Sequence, residues 1–221
     1  MEPIIQTDSM IHAGLISSSY TPPLTHLYLI NHYPDTRVEM HENYQKQSFR
    51  NRMYLISSSG LQLLTVPIVH KQNQLLSDVK ISYSEPWQRN HIRTIRTCYS
   101  NAPYYIYYFD QIENTITSSF KYLYELNNQL LHTICKLLNI QGPSNTETWG
   151  KVQTHQLDFR DKIITEKETK LITPAYPALF PFDPSTIGKI SSLDLLFNLG
   201  PDGESFLSAS KLVDSTEYTL I

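Results

Sequence analysis

The sequence predicts one α/β domain over residues 1–221, with a mixed β-sheet and a long amphipathic helix. Three observations lead to this class. Short apolar segments bounded by Ser, Gly and Pro are typical of strands joined by tight turns. Residues 110–139 instead carry apolar side chains at steps of three and four, which is typical of a helix packed on a core. The hydrophobic fraction of 40% suits an ordinary globular protein.

The N-terminal half alternates between strand and helix patterns. The segment "AGLISSSY" predicts a strand, and the double proline Pro22–Pro23 precedes a short helix that begins near Leu24. "TRVEM" is consistent with a returning strand. The clearest β element is a hairpin near residues 52–69, in which Gly60 supplies the turn. Both of its arms are apolar on both faces, which predicts interior strands.

Three further helices are expected after the hairpin. The first begins near Ser84 and ends at "YSNAP", and the second is the long helix at 110–139. The third is "SSLDLLFNLGP", where Ser191 and Asp194 fit an N-terminal capping box and Gly200 fits the end of a helix. We expect this last helix to be docked on the core.

Two stretches lack a regular pattern. "GPSNTETWGK" interrupts the helical periodicity and predicts a loop. The segment from "DFRDK" to "FDPST" is polar and rich in proline, so we expect it to be mostly loop.

Charge and composition exclude several classes of function. Lys and Arg number 18 against 21 Asp and Glu, and the net charge of -3 offers no global attraction for nucleic acid. No window approaches the roughly 20 apolar residues of a membrane span. The N-terminus has no basic leader with an apolar core, and two cysteines are too few for a disulfide framework. We therefore expect a cytoplasmic protein with no nucleic-acid partner.

The segment "YQKQSFRNR" combines three cationic side chains with three amides. If it is helical, Lys46 and Arg50 stack on one face and form an ordinary solvated surface. If Arg50 instead begins the following strand, Arg50 and Arg52 share a face and both guanidinium groups can address one phosphate or carboxylate. Both geometries stay open at this point.

The segment "WQRNHIRTIRTCYSNAPYY" concentrates residue types that are common in catalysis. His91 lies four residues after Trp87, and a histidine on an apolar face is more often a buried structural residue than a base. A nucleophilic pair of His91 with Cys98 fails because seven helical residues separate the two by roughly 10 Å. Arg89, Arg93 and Arg96 fall on another face, which is typical of a solvated surface.

Metal and cofactor motifs are missing from the sequence. The eight histidines are scattered, and pairs such as His26 with His32, or His41 with Glu42, give no recognisable ligand set. There is no phosphate-binding glycine loop, dinucleotide fingerprint or nucleophile elbow. We expect neither a metal nor a cofactor.

Taken together, five motifs resemble the WbqC-like protein family in order and spacing. They are "SSSYTPPLTHLYLI", "ENYQKQSFRNR", "GLQLLTVPI", "WQRNHIRTIRTCYSNAPYY" and "SLDLLFNLGP", and they cover most of the chain. One departure precedes the last motif, where the family pattern has His-Gly-Phe and this chain has "PFDPSTIGK". No role can therefore be assigned to a histidine at that place.

The resemblance implies a role in the biosynthesis of O-antigen or another bacterial surface polysaccharide. For that family, transfer of an amino acid such as glycine to a sugar has been proposed, which makes acyl or aminoacyl transfer to an amino sugar or nucleotide sugar the first reaction to test. The alternative is a non-catalytic module that binds a nucleotide sugar or a partner protein. The positions that match the family motifs are Tyr20, Pro22, Pro23, Lys46, Gln47, Arg50, Asn51, Arg52, Trp87, His91, Tyr99 and Pro103.

These positions give a residue-level hypothesis. A polar groove between the segment 46–52 and the helix 87–99 would take a small anionic or sugar ligand. His91 would act as general base, and Lys46 or Asn51 would stabilise developing negative charge. The remaining candidates are ligand-binding residues: Arg50 and Arg52 for the anion, Tyr20 and Trp87 as walls, and Gln47 and Tyr99 as further contacts.

Overall fold

The computed structural model describes residues 13–69, 71–149, 156–160, 169–175 and 178–214. Within these ranges the α-helices are α1 (Leu24–His32), α2 (Trp87–Tyr99), α3 (Tyr105–Thr117), α4 (Leu123–Leu137), α5 (Ser192–Leu199) and α6 (Gly203–Ser208). The strands are β1 (Ala13–Ser17), β2 (Arg37–Glu39), β3 (Arg52–Ser57), β4 (Gly60–Thr65), β5 (Ile68–Val69), β6 (Lys80–Ile81), β7 (Ser144–Asn145), β8 (Gln156–Asp158), β9 (Thr169–Ile172) and β10 (Lys211–Asp214). Short 3-10 helices cover Leu76–Asp78, Pro184–Lys189 and Gly200–Asp202.

A parallel sheet of four strands positions most of the polar residues discussed below. Its order is β7-β2-β1-β8, and Leu15 of β1 pairs with Arg37 on one side and Asp158 on the other. Helix α1 is the crossover from β1 to β2, whereas β8 joins the opposite side of β1 much later in the chain. The strand order therefore reverses at β1, and in parallel sheets ligands bind beside the carboxyl ends of strands at such a point.

Antiparallel pairing occurs outside this sheet, in the pairs β3–β4, β5–β6 and β9–β10. The α/β class is confirmed, with the two pairing modes in separate sheets. The hairpin is confirmed as β3–β4, and Gly60 takes a positive φ of 101° that favours glycine. The expectation of two interior strands is wrong for β4, where Leu61 and Leu63 are each 38% exposed. Among the described strands β4 pairs with β3 alone, so little covers its outer face.

The predicted long helix is in fact the two helices α3 and α4. The backbone becomes extended at Ser118 and again at Tyr122, where a new N-terminus begins. The Glu125 carboxylate accepts a hydrogen bond from the Tyr122 backbone N–H at 3.0 Å, as in a capping box. Periodicity did not reveal the break because Ile116 before it and Leu123 after it are both fully buried.

The last predicted helix is confirmed as α5, and its residues are almost entirely buried. Ser191 caps it by accepting a hydrogen bond from the Leu193 N–H at 3.2 Å. The predicted capping box does not form, because the Asp194 carboxylate instead accepts from the Tyr99 hydroxyl at 2.9 Å. Gly200 ends the helix with a φ of 50°, a conformation that favours glycine.

The segments predicted as loop contain the short strands β7 and β9, and the prediction also missed β8, α6 and β10. Strands of two to four residues are too short to show a period in the sequence. Residues 150–151 of the first loop segment, and residues 161–168 and 176–177 of the proline-rich segment, lie outside the described residues. The buried apolar residues that are described form one core cluster. It contains residues of the helices α1 through α5 and of the strands β1 and β3. No helix in the described ranges has the length and apolar character needed to cross a membrane.

Candidate functional site

The carboxyl edge of the parallel sheet carries a buried polar cluster. Ser17 ends β1, and its Oγ lies 3.1 Å from Glu42 Oε2 and 3.0 Å from the Arg160 carbonyl. Arg50 Nη2 also donates to Ser17 Oγ at 3.2 Å. One serine hydroxyl therefore joins three chain segments that are distant in sequence.

Glu42 and Arg50 form a buried ion pair, 4% and 1% exposed. Arg50 Nε donates to Glu42 Oε1 at 2.8 Å, and Nη2 contacts Oε2 in a side-on bidentate arrangement. Burial raises the pKa of Glu42, and the Arg50 charge opposes that rise. Arg50 Nη1 is buried and has no hydrogen-bond partner among the described residues. The positive charge of Arg50 is thus largely neutralised by a carboxylate of the protein.

A second set of charges lies beside the first at the ends of β2 and β8. Arg160 Nη1 donates to Glu39 Oε2 at 3.2 Å, and its Nε donates to Asp158 Oδ1 at 2.9 Å. Hydrogen bonding to Asp158 raises the pKa of Arg160 further above its ordinary value. The Arg160 guanidinium carbon also lies 4.5 Å from the ring centroid of Trp149, which is 53% exposed.

A small recess opens next to these pairs, between the β1–α1 loop and α4. It has an empty volume of about 270 Å³ including the part open to solvent, while its narrow interior leaves room for about one water molecule. Its polar lining residues are Ser17, Ser18, Ser19, His26, Asn127 and Asn128. The buried Oδ1 atoms of Asn127 and Asn128 have no hydrogen-bond partner among the described residues.

His26 brings an uncharged imidazole to this recess. It lies in the first turn of α1, and its Nδ1 is 3.1 Å from Ser19 Oγ. Burial, assisted by the nearby Arg50 charge, lowers the pKa of His26 to about 3. None of the described residues hydrogen-bonds its Nε2. A neutral imidazole with a free nitrogen can donate to or accept from a ligand, although this pKa makes it a weak base.

Tyr20, Trp87 and His91 come together, but in a closed aromatic cluster. The Tyr20 hydroxyl and His91 Nδ1 are 2.9 Å apart, and the Trp87 ring packs edge-on against both. All three residues are at most 4% exposed. Burial lowers the pKa of His91 to about 4, against an opposing hydrogen bond with the Thr65 backbone. In this conformation a substrate has no access to the imidazole.

Tyr99 lies in a different buried network. Its hydroxyl donates to Asp194 and accepts from the Ile56 N–H at 3.2 Å, so it ties α2 to α5 and β3. Cys98 beside it is buried, and burial raises the pKa of its thiol to about 11. The arginines of the other α2 face are exposed, and Arg96 pairs with Glu113 at 3.2 Å.

The segment 44–52 forms neither a helix nor a strand that contains both arginines. It is a loop up to β3, which begins at Arg52, so Arg50 lies before the strand, and the shared face that a strand through both arginines would give does not form. Lys46 and Gln47 are exposed, and Gln47 has a left-handed φ of 59°. Asn51 Nδ2 donates to the Val66 carbonyl at 2.9 Å and thereby closes the base of the hairpin.

The predicted site residues are therefore divided among the edge cluster, the aromatic cluster, the Asp194 network, the base of the β3–β4 hairpin and the surface. Sequence reasoning missed the polar lining of the recess and the charges Glu39, Asp158 and Arg160. A usable signal existed for some of them, since the run of serines Ser17–Ser19 follows an apolar strand. Asn127 interrupts the apolar stripe of a helix at a fully buried position. Its Nδ2 donates to Ser18 Oγ and to the Arg50 carbonyl, at 3.0 and 2.8 Å.

Among the described residues no three His, Cys, Asp or Glu side chains converge in a way that could hold a metal ion. No solved structure matches the chain. A protein of Mycobacterium tuberculosis, named uncharacterized protein Rv1507c, is 28% identical over 134 residues. The match covers 59% of this chain and spans 58% of that relative's length. The model of the WbqC-like protein family matches residues 18–170, which include most of the recess lining and most of the edge cluster, and the chain therefore belongs to the WbqC-like protein family.

Proposed function

We propose that the recess and the adjoining strand ends bind a sugar, of the amino-sugar or nucleotide-sugar class. The observation that carries this proposal is the pair of buried, unpartnered amide oxygens of Asn127 and Asn128 beside the uncharged His26. Buried polar atoms are normally hydrogen-bonded, so such atoms in a recess are candidates for pairing with a ligand or with water. Sugar hydroxyl and amino groups can donate to both oxygens.

The dimensions and charges of the site limit the ligand. An interior with room for about one water molecule accepts one hydroxyl or amino substituent, with the sugar ring outside over the strand ends. The cations Arg50 and Arg160 are already paired with carboxylates, so a strongly anionic group finds no free positive charge from either of them. Neutral or amino-bearing sugars therefore fit better than a bare phosphate.

The reaction proposed for this site is acyl or aminoacyl transfer to an amino sugar in surface-polysaccharide biosynthesis. The sugar amine would attack the carbonyl carbon of an activated acyl ester or thioester. A C–N bond forms, the bond to the donor's oxygen or sulfur breaks, and the amine proton passes through a base to the leaving group. The sequence hypothesis assigns the base to His91 and the stabilisation of negative charge to Lys46 or Asn51, whereas the geometry favours His26 as the base because it lines the recess.

A non-catalytic sugar-binding module is the second candidate. The pKa of about 3 for His26 favours it, because a base with so low a pKa removes a proton from an amine poorly. Both candidates require the same bound sugar, and they differ only in whether a product appears.

Binding is tested first, by thermal shift and calorimetry with glucosamine, N-acetylglucosamine and UDP-N-acetylglucosamine. We expect at least one of them to stabilise the protein, and Asn128→Leu to weaken its binding by about tenfold through loss of one buried hydrogen bond. Gln129→Leu is the matched control, since Gln129 is exposed on the same helix. Equal binding by both variants, or no binding by the wild-type protein, would contradict the proposal.

Catalysis is tested separately with the sugar that binds and a glycyl thioester, with the acylated sugar detected by mass spectrometry. Loss of product in His26→Gln with normal turnover in His91→Gln supports the recess as the reaction site. The reverse result supports the sequence hypothesis. If the wild-type protein binds the sugar but forms no product, the non-catalytic sugar-binding module is the remaining candidate.

A further inference from the structure

Trp149 stands out on the carboxyl edge because it is a large apolar ring left half in solvent. Its side chain is 53% exposed, although its ring already contacts the Arg160 guanidinium at 4.5 Å. Large aromatic rings are usually placed so that their apolar area is covered. The cation covers one face of the indole and leaves area available for a second flat partner.

A short chain of contacts links this ring to the recess. The Arg160 guanidinium packs on the indole of Trp149. The Arg160 carbonyl lies 3.0 Å from the hydroxyl of Ser17, which lines the recess. The same guanidinium is held by Glu39 and Asp158 at the ends of β2 and β8. Trp149 therefore rests on a rigid, multiply bonded support next to the place where we locate the ligand.

From this placement we propose that Trp149 is the stacking wall of the ligand site and packs against the apolar face of the sugar ring. A pyranose presents C–H groups on one face and hydroxyls at its rim. A ring on the indole with one substituent in the recess satisfies both features at once. The inference rests on the proposed function, because it concerns the position of the same sugar.

The alternative is that the indole serves only to cover Arg160. In that case the cation–π contact fixes the guanidinium, and the exposed part of the ring has no partner. The two readings differ in what happens when a sugar is added, because only a stacking wall becomes shielded from solvent.

The chain has two tryptophans, and the other one, Trp87, is 3% exposed, so acrylamide quenching of fluorescence reports mainly on Trp149. We expect glucosamine or UDP-N-acetylglucosamine to protect this fluorescence. Trp149→Ala should weaken calorimetric binding by about fivefold to tenfold, in line with aromatic contacts of this kind, and Trp149→Phe by less. Tyr107→Ala is the control, because Tyr107 is 65% exposed on α3 and should bind like the wild type.

The outcomes separate the inference from the proposed function. If the wild type binds the sugar but Trp149→Ala binds equally well and quenching is unchanged, the stacking wall is wrong and the sugar site stands. If no probe binds the wild type, both fail. UMP is included as a further probe, and protection of Trp149 by UMP but not by glucosamine would overturn the sugar-ring assignment in favour of the nucleobase. Circular dichroism of each variant confirms that the fold is retained.

Discussion

The aromatic cluster and the recess each contain a buried histidine, and the two histidines differ in how their ring nitrogens are engaged. In the aromatic cluster the imidazole of His91 is hydrogen-bonded to Tyr20 and enclosed by rings. In the recess the Oδ1 atoms of Asn127 and Asn128 lack partners among the described residues, and the described hydrogen bond of His26 is made by its Nδ1 atom. A histidine with both nitrogens engaged inside a closed cluster stabilises a fold, whereas one with a free nitrogen at an opening can bind. This difference distinguishes the two histidines.

The largest expected effect concerns the ion pair that supports the recess. Arg50→Met leaves the Glu42 carboxylate buried without its cation, and we expect the free energy of unfolding in urea to fall by about 3–5 kcal/mol. The double variant Glu42→Leu with Arg50→Met removes both charges and should recover most of that loss. A double variant as unstable as Arg50→Met alone would show that the pair is not the cause.

The pH dependence of stability tests both histidines. Their pKa values are lowered from 6.5 to about 3 for His26 and about 4 for His91, so the folded state binds fewer protons than the unfolded chain. Each contribution is complete above pH 6.5 and is lost as the pH falls toward the folded pKa. At about 1.4 kcal/mol per pH unit, each histidine lowers the free energy of unfolding by roughly 2 kcal/mol between pH 6.5 and 5.

Urea titrations at several pH values check this prediction. His26→Gln and His91→Gln should each flatten the acid slope by about half. Glu42 acts in the opposite direction, because its raised pKa gives stability that is lost as the pH rises. For this reason each variant is compared with the wild type at every pH. An unchanged slope in one variant would mean that its histidine is not buried in neutral form.

Asn127 and Asn128 both line the recess but have different expected roles: Asn127 stabilises the fold, and Asn128 binds the sugar. Asn127→Leu removes two donated hydrogen bonds and leaves Ser18 and the Arg50 carbonyl without that donor, so we expect a loss of about 1–3 kcal/mol. Asn128→Leu should change stability by less than about 0.5 kcal/mol while weakening sugar binding. Chemical denaturation and calorimetry on the same samples give both quantities. Equal losses of stability in Asn127→Leu and Asn128→Leu would contradict this difference in roles.

The sequence predicted the elements that have strong local signals and missed what depends on tertiary contacts. Helix α1 after Pro22–Pro23, the β3–β4 hairpin at Gly60 and the cap of α5 at Ser191 each depend on a few neighbouring residues. The break between α3 and α4 was missed because the buried stripe continues across it.

For the site, the family motif drew attention to Arg50, but the sequence could not show that its charge is held by Glu42. Nor could it show that Ser17 and Arg160 meet, since they are 143 residues apart in the chain. Pairings of this kind follow from the strand order of the sheet, which local patterns do not contain. Whether Tyr20, Trp87 and His91 bind a ligand stays a prediction.

Lys46 gives the smallest expected effect and the sharpest contrast with its neighbour Arg50. It is exposed in the loop before β3, so Lys46→Met should change the free energy of unfolding by less than about 0.5 kcal/mol. If the site is the recess, sugar affinity and any turnover also stay unchanged, because Lys46 does not line it. If Lys46 instead stabilises charge during transfer, turnover falls while stability does not. A fall in turnover with unchanged stability would indicate that the reaction takes place at the surface of the 44–52 loop. The reacting groups would then be held by the family motif in that loop and not by the recess.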